Sequence, residues 1–113
     1  MASKKIKKAF WLSYDLGVGG DYENLYQWLD DHHAKPCGDN VAFFEYFYTG
    51  TGDIDVALER DLKRKIRLKP NNKLYLIRKD KKSDKVMGNF IYGKRSAAPW
   101  TGYGSLDKNL PDE

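Results

Sequence analysis

Two short runs of almost uninterrupted apolar residues limit what this chain can fold into. They occupy residues 9–16 (AFWLSYDL) and Val41–Tyr48 (VAFFEYFY), and glycines follow each run closely. A short continuous apolar run of this kind is typical of a strand that is covered on both faces. Side chains alternate along a strand, so one face of the first run carries Phe10, Leu12, Tyr14 and Leu16. Its opposite face carries Trp11, Ser13 and Asp15.

Amphipathic segments follow both runs. Residues 21–34 have apolar side chains at helical spacing, namely Tyr22, Leu25, Tyr26 and Leu29. Residues 53–68 repeat an apolar residue every fourth position, at Ile54, Leu58, Leu62 and Ile66. Both patterns predict a helix with one buried side. The segments Lys73–Lys79 and 85–92 then predict a hairpin, joined by a polar loop.

The order of elements is therefore strand–helix–strand–helix–strand–strand. It predicts an α/β (α+β) two-layer sandwich, in which two helices cover a mixed four-stranded sheet with right-handed crossovers. We expect one domain over residues 1–95 and a C-terminal tail, residues 96–113, that docks in part. Because the helices cover one sheet face, the tail or a second copy of the chain must cover the other. A homodimer is one expected outcome.

Composition places the chain among soluble globular domains. Apolar residues make up 41% of the 113 positions and aromatic residues 14%, enough for a real core. A single cysteine excludes an intramolecular disulfide and favours a reducing compartment. The basic N-terminal residues precede an apolar run that is too short for a signal peptide or a membrane span. We therefore expect a cytoplasmic protein with no membrane partner.

Asp15 is the first candidate for chemistry, because it ends the first strand just before a glycine turn. Functional groups in open α/β sheets collect beyond the carboxyl ends of strands, and a carboxylate there suits a magnesium ion. The alternative is that Asp15 only caps the turn through local backbone hydrogen bonds. The glycines that follow lack both the dinucleotide-binding and the P-loop pattern, which favours a plain turn.

The apolar strand that ends in Ser13-Tyr14-Asp15, followed by a turn and a helix, resembles the opening of a known superfamily. Its members are the small ferredoxin-like CRISPR-adaptation subunits and the virulence-associated ribonuclease toxins, and the likeness covers about the first 48 residues. The resemblance implies that Asp15 is a catalytic, metal-binding carboxylate at a dimer interface. That fold has a hairpin before its second helix, whereas this sequence predicts a single strand there.

Other metal chemistry has little support in the sequence. His32, His33 and Cys37 are the only histidines and the only cysteine, and Pro36 interrupts the helix between them. A closed zinc site needs four such ligands, so none is expected in one chain. We predict no resident cofactor, with magnesium required only if the protein is a nuclease.

Basic residues cluster in the second half of the chain, in a protein of net charge +4. Seven of them are predicted to bind nucleic acid: Lys63, Arg64, Arg67, Lys69, Arg78, Lys94 and Arg95. If they converge, they form a phosphate-binding patch with salt-sensitive affinity. The alternative is a solvated surface that keeps the protein soluble.

Trp100 and Tyr103 lie in the glycine-containing tail. They are predicted either to pack across the sheet of their own domain or to bind a partner, since these residue types concentrate in interface hot spots. The sequence thus predicts a nucleic-acid-associated protein, either a binder or a metal-dependent nuclease. The alternative is a non-enzymatic, homodimeric protein-interaction module. Whether the chain is an enzyme stays open.

Overall fold

The computed structural model describes residues 5–104, and within them the chain forms five strands and two helices. The elements in chain order are β1 (Ile6–Asp15), α1 (Tyr22–Asp31), β2 (Lys35–Pro36), β3 (Val41–Tyr48), α2 (Ile54–Lys65), β4 (Lys73–Lys79) and β5 (Val86–Tyr92). The five strands form one sheet in the order β2-β3-β1-β4-β5, and every neighbouring pair is antiparallel.

The predicted mixed four-stranded sheet is wrong, and the short strand β2 explains why. After α1 the backbone reverses at His33, which has a positive φ of 55°, and again at Gly38, with a φ of 107°. Lys35 and Pro36 pair with β3 between these reversals. The hairpin sends β3 back antiparallel to β1 instead of parallel to it. A two-residue strand that contains proline has no apolar pattern, so the sequence did not indicate it.

Both helices are shorter than predicted, and their N-terminal caps show where they begin. The side chain of Asp21 accepts a hydrogen bond from the backbone N–H of Asn24 at the start of α1. At the start of α2, the side chain of Asp53 accepts one from the backbone N–H of Asp55. Asp21 also accepts from the backbone N–H of Arg67 at 2.8 Å, and this bond is the main cause of its lowered pKa. Within residues 5–104, neither helix is long and apolar enough to cross a membrane.

The core lies between the helices and one face of the sheet. The predicted face of β1 is confirmed, because Phe10, Leu12, Tyr14 and Leu16 are all buried. The predicted side of α2 is confirmed as well, with Ile54, Leu58, Leu62 and Ile66 buried. On α1 the buried residues are Leu25, Trp28 and Leu29, whereas Tyr26 is 52% exposed. Large rings fill this layer, and Trp28 packs edge-on against Phe44 with ring centroids 5.1 Å apart.

Tyr46 makes the stability of this core depend on pH. Its hydroxyl donates to Asp61 at 3.1 Å, and burial, followed by the charge of Asp61, raises the pKa of Tyr46 from 10.0 to about 12. A pKa that is higher in the folded state stabilises the protein fully below pH 10, and this contribution is lost as the pH rises through 12. We expect the free energy of unfolding to fall by about 2–3 kcal/mol more in the wild type than in Tyr46→Phe over this range. Urea denaturation of both proteins measures the difference, and parallel declines would contradict it.

Candidate functional site

One face of the sheet lies opposite both helices, and we call it the open face. Its residues come from all five strands: Lys7, Ala9, Trp11, Ser13, Asp15, Lys35, Val41, Phe43, Glu45, Phe47, Lys73, Tyr75, Ile77, Lys79, Val86, Gly88 and Phe90. On β1, β3 and β4 they alternate with the buried residues of the same strands, which fixes their direction. Several apolar members remain in solvent, with Phe47 52% exposed and Val86 73% exposed.

Aromatic rings occupy the middle of the open face. Trp11 on β1 is directly opposite Phe43 on β3, and their ring centroids are 5.1 Å apart. Phe47 lies further along β3, with the ammonium of Lys5 4.9 Å from its ring centroid. The two central strands of this face therefore present accessible π-surfaces beside a cation.

A second aromatic cluster lies on β4 and β5. The rings of Tyr75 and Phe90 meet edge to face at 4.8 Å, and the guanidinium carbon of Arg95 lies 5.7 and 5.2 Å from their centroids. Gly88 makes room for this arrangement, because a Cβ atom there would lie 2.6 Å from the Tyr75 ring. The absence of a side chain at position 88 thus lets the tyrosine ring lie across β5.

Asp15 lies beside this second cluster. It lines a cleft of about 310 Å³ together with Ser13, Lys73, Tyr75, Phe90 and Arg95. Its Oδ1 atom accepts a hydrogen bond from the backbone N–H of Gly17 at 3.0 Å, which is the turn-capping role expected as the alternative. The Asp15 residue is exposed and also lines the cleft.

The surroundings of Asp15 do not fit a divalent cation. Within residues 5–104 no group of three or more histidine, cysteine or acidic side chains could hold a metal ion. Two cationic side chains, Lys73 and Arg95, line the same cleft, and their charge opposes Mg²⁺ binding. The metal-dependent role of Asp15 therefore stays a prediction that its neighbours in this chain do not support.

The predicted basic residues come from three parts of the chain. Lys63, Arg64, Arg67 and Lys69 lie at the end of α2 and in the segment after it. Arg64 and Arg67 are exposed, whereas the ammonium of Lys63 lies 3.5 Å from Glu59. Lys69 donates to the backbone carbonyl of Gly19 at 2.7 Å. Lys94 and Arg95 follow β5 and line a cleft with Asp15 and Lys73.

Arg78 does not belong to either basic group. It shares the helix-facing side of the sheet with Leu76, and its guanidinium donates to Asp55 at 3.0 Å and to Asn89 at 2.8 Å. These two hydrogen bonds connect Arg78 on β4 to α2 and to β5. The sequence prediction included Arg78 among the phosphate contacts on charge alone, without considering which face of β4 it occupies, and that role stays a prediction.

Trp100 and Tyr103 lie in solvent, 73% and 80% exposed. They belong to two successive turns, closed by hydrogen bonds from Thr101 to Ala98 and from Tyr103 to Trp100. The expectation that these rings pack across their own sheet is therefore wrong. The rest of the predicted tail, residues 105–113, lies outside the described residues.

The sequence interpretation missed the open face as a site. Trp11, Phe43 and Phe90 were not among the predicted binding residues, although the signal for Trp11 and Phe43 was present in the two apolar runs. A strand that is apolar on both faces, in a chain with helices for only one face, must present aromatic residues on the other.

Comparisons with protein-family models, curated proteins and solved structures found no match for this chain.

Proposed function

We propose that this protein binds single-stranded nucleic acid on its open face. The observation that carries the proposal is the contact between the exposed Trp11 ring and the partly exposed Phe43 ring on adjacent central strands, with the ammonium of Lys5 over the nearby Phe47 ring. Unpaired bases stack on aromatic side chains whatever their sequence, and sheets that present such rings on central strands are a common platform for this. The bases of a duplex are already stacked on each other and cannot use the same surface.

The charge of the open face suits a polyanion. Four lysines and an arginine surround its aromatic residues: Lys5, Lys7, Lys73, Lys79 and Arg95. Glu45 and Asp84 offset Lys7 and Lys79, at 3.8 and 3.0 Å. These pairs are well exposed and contribute little energy, so a phosphate can compete for the same lysines.

The element order supports the family resemblance as well. From β1 to β4 the elements follow the β-α-β-β-α-β order of ferredoxin-like domains, with β5 added. The hairpin of β2 and β3 precedes α2, where that fold also has a hairpin and where the sequence predicted a single strand. The superfamily resemblance points to nucleic acid as a partner, while the cationic surroundings of Asp15 favour binding over metal-dependent cleavage.

Fluorescence anisotropy with labelled strands of about twelve nucleotides tests the proposal. We expect single-stranded RNA or DNA to bind with a micromolar or tighter Kd at about 0.15 M salt, and a duplex of the same length to bind at least about tenfold more weakly. Stacking resists salt better than phosphate contacts do. Equal affinity for the two forms, lost entirely at higher salt, would reduce the interaction to charge alone and contradict the proposal.

The exposed rings of Trp100 and Tyr103 favour a second candidate, a homodimeric protein-interaction module. Aromatic residues of this kind anchor interfaces, and the open face offers an apolar surface for a second copy. Light scattering separates the two candidates. A dimeric mass with no affinity for single strands supports the module, and a monomeric mass with affinity supports the nucleic-acid function.

A further inference from the structure

We propose that the cleft around Asp15 is a base subsite selective for guanine. This inference rests on the proposed function and adds a specificity to it. The cleft is bounded by a carboxylate, two cations and two aromatic rings, from Asp15, Lys73, Arg95, Tyr75 and Phe90. Single-strand binding elsewhere on the open face needs none of this chemistry.

The aromatic side of the cleft supplies the stacking surface. Tyr75 and Phe90 contact each other edge to face, and the guanidinium of Arg95 covers both rings. Bases stack on such rings and on the planar guanidinium group alike. A volume of about 310 Å³ is at the lower end for ligand pockets, which suits one base better than a larger ligand.

The carboxylate supplies the selectivity. Among residues 5–104, the carboxylate of Asp15 accepts one hydrogen bond, from the backbone N–H of Gly17 to Oδ1. Its Oδ2 atom therefore remains available. An ionised carboxylate accepts hydrogen bonds at both oxygens and donates none. Guanine is the one common base with two adjacent donors, N1–H and the N2 amino group, on its Watson–Crick edge. Adenine, cytosine and uracil each place an acceptor beside their donor and would meet the carboxylate with repulsion.

The two cations complement the opposite edge of guanine. Its O6 and N7 atoms are acceptors that arginine and lysine commonly contact. Arg95 is exposed and lines the cleft, with its guanidinium over the Tyr75 and Phe90 rings. Lys73, directly opposite Asp15 on β4, donates to the hydroxyl of Ser96 instead of pairing with the carboxylate. The cleft thus keeps an acceptor and separate donors, which is the combination that guanine requires.

Anisotropy with two labelled RNA strands tests this subsite. One strand is a uridine tract of about nine nucleotides with a single central guanosine, and the other has adenosine at that position. We expect wild-type protein to bind the guanosine strand at least about fivefold more tightly, since a matched base contact discriminates by about 1–3 kcal/mol. In Asp15→Asn this ratio should fall to about one, because the amide presents a donor to the guanine donors.

Asp31→Asn is the matched control, because it removes one exposed carboxylate at the end of α1, away from the cleft. It raises the net charge as Asp15→Asn does and should retain the guanosine preference. Equal affinity of wild type for the two strands overturns the guanine subsite but leaves the proposed function in place. Affinity for neither strand overturns both. A preference that appears only with added Mg²⁺ and is lost with EDTA would make Asp15 a metal ligand and overturn the subsite.

Discussion

Replacing Trp11 and Phe43 together by alanine should lower the affinity for single-stranded nucleic acid by at least about 30-fold. Alanine substitution of a stacking residue costs about 1–3 kcal/mol per base, so two such residues account for at least about 2 kcal/mol. The rings face each other at 5.1 Å on neighbouring central strands, and one strand of nucleic acid can contact both. Anisotropy with an unstructured uridine strand measures the loss.

Tyr26→Ala is the matched control for this experiment. Tyr26 is an exposed aromatic residue on α1, on the other side of the sheet, and is 52% exposed. Its substitution should leave the affinity unchanged. If the double variant binds as the wild type does but changes from a dimer to a monomer in light scattering, the open face is a protein interface. Thermal unfolding of each variant shows whether it is folded, so that a binding loss can be assigned to the surface.

The strands and helices of this fold could be predicted from the sequence where apolar periodicity was strong. The bounds of β3 and β4 agree with the prediction, and the stripe from Ile54 to Ile66 identified the buried side of α2. The connection between α1 and β3 could not be predicted, because two backbone reversals and the pairing of Lys35 and Pro36 leave no pattern of apolar residues. Sheet order depends on that connection, so the sheet prediction failed there.

The candidate site was predictable only in part, for a reason of geometry. Asp15 was identified from its place at the end of a strand, which is a local feature. Its cleft partners Tyr75, Phe90 and Arg95 come from sequence positions far from it, and only the pairing of β1, β4 and β5 brings them together. Charge alone also grouped Arg78 with Arg95, although the two residues lie in different surroundings.

The second large expected effect is a loss of stability when Arg78 is replaced, which distinguishes Arg78 from Arg95. Arg78 and Lys8 both bind Asp55, at 3.0 and 2.8 Å, and the three side chains are between 18% and 25% exposed. This cluster joins β1, β4 and the first turn of α2. Removal of Arg78 leaves Oδ2 of the partly buried Asp55 carboxylate without its hydrogen bond, although Lys8 still binds Oδ1, and an unsatisfied charged acceptor of this kind is costly. We expect Arg78→Ala to lower the free energy of unfolding by about 2–3 kcal/mol and to leave nucleic-acid affinity unchanged.

Arg95→Ala should give the opposite result, with unchanged stability and weaker binding, because Arg95 is exposed and covers the rings of the cleft. Urea denaturation measures the stability of Arg78→Ala and Arg95→Ala, and anisotropy measures their affinity for single-stranded nucleic acid. Arg78→Lys serves as a conservative control, since it keeps the charge beside Asp55 but loses the second hydrogen bond to Asn89. Its stability should fall between those of the wild type and Arg78→Ala. If Arg78→Ala is as stable as the wild type but binds nucleic acid poorly, the arginine is a phosphate contact and the helix-facing side of the sheet is part of the binding surface.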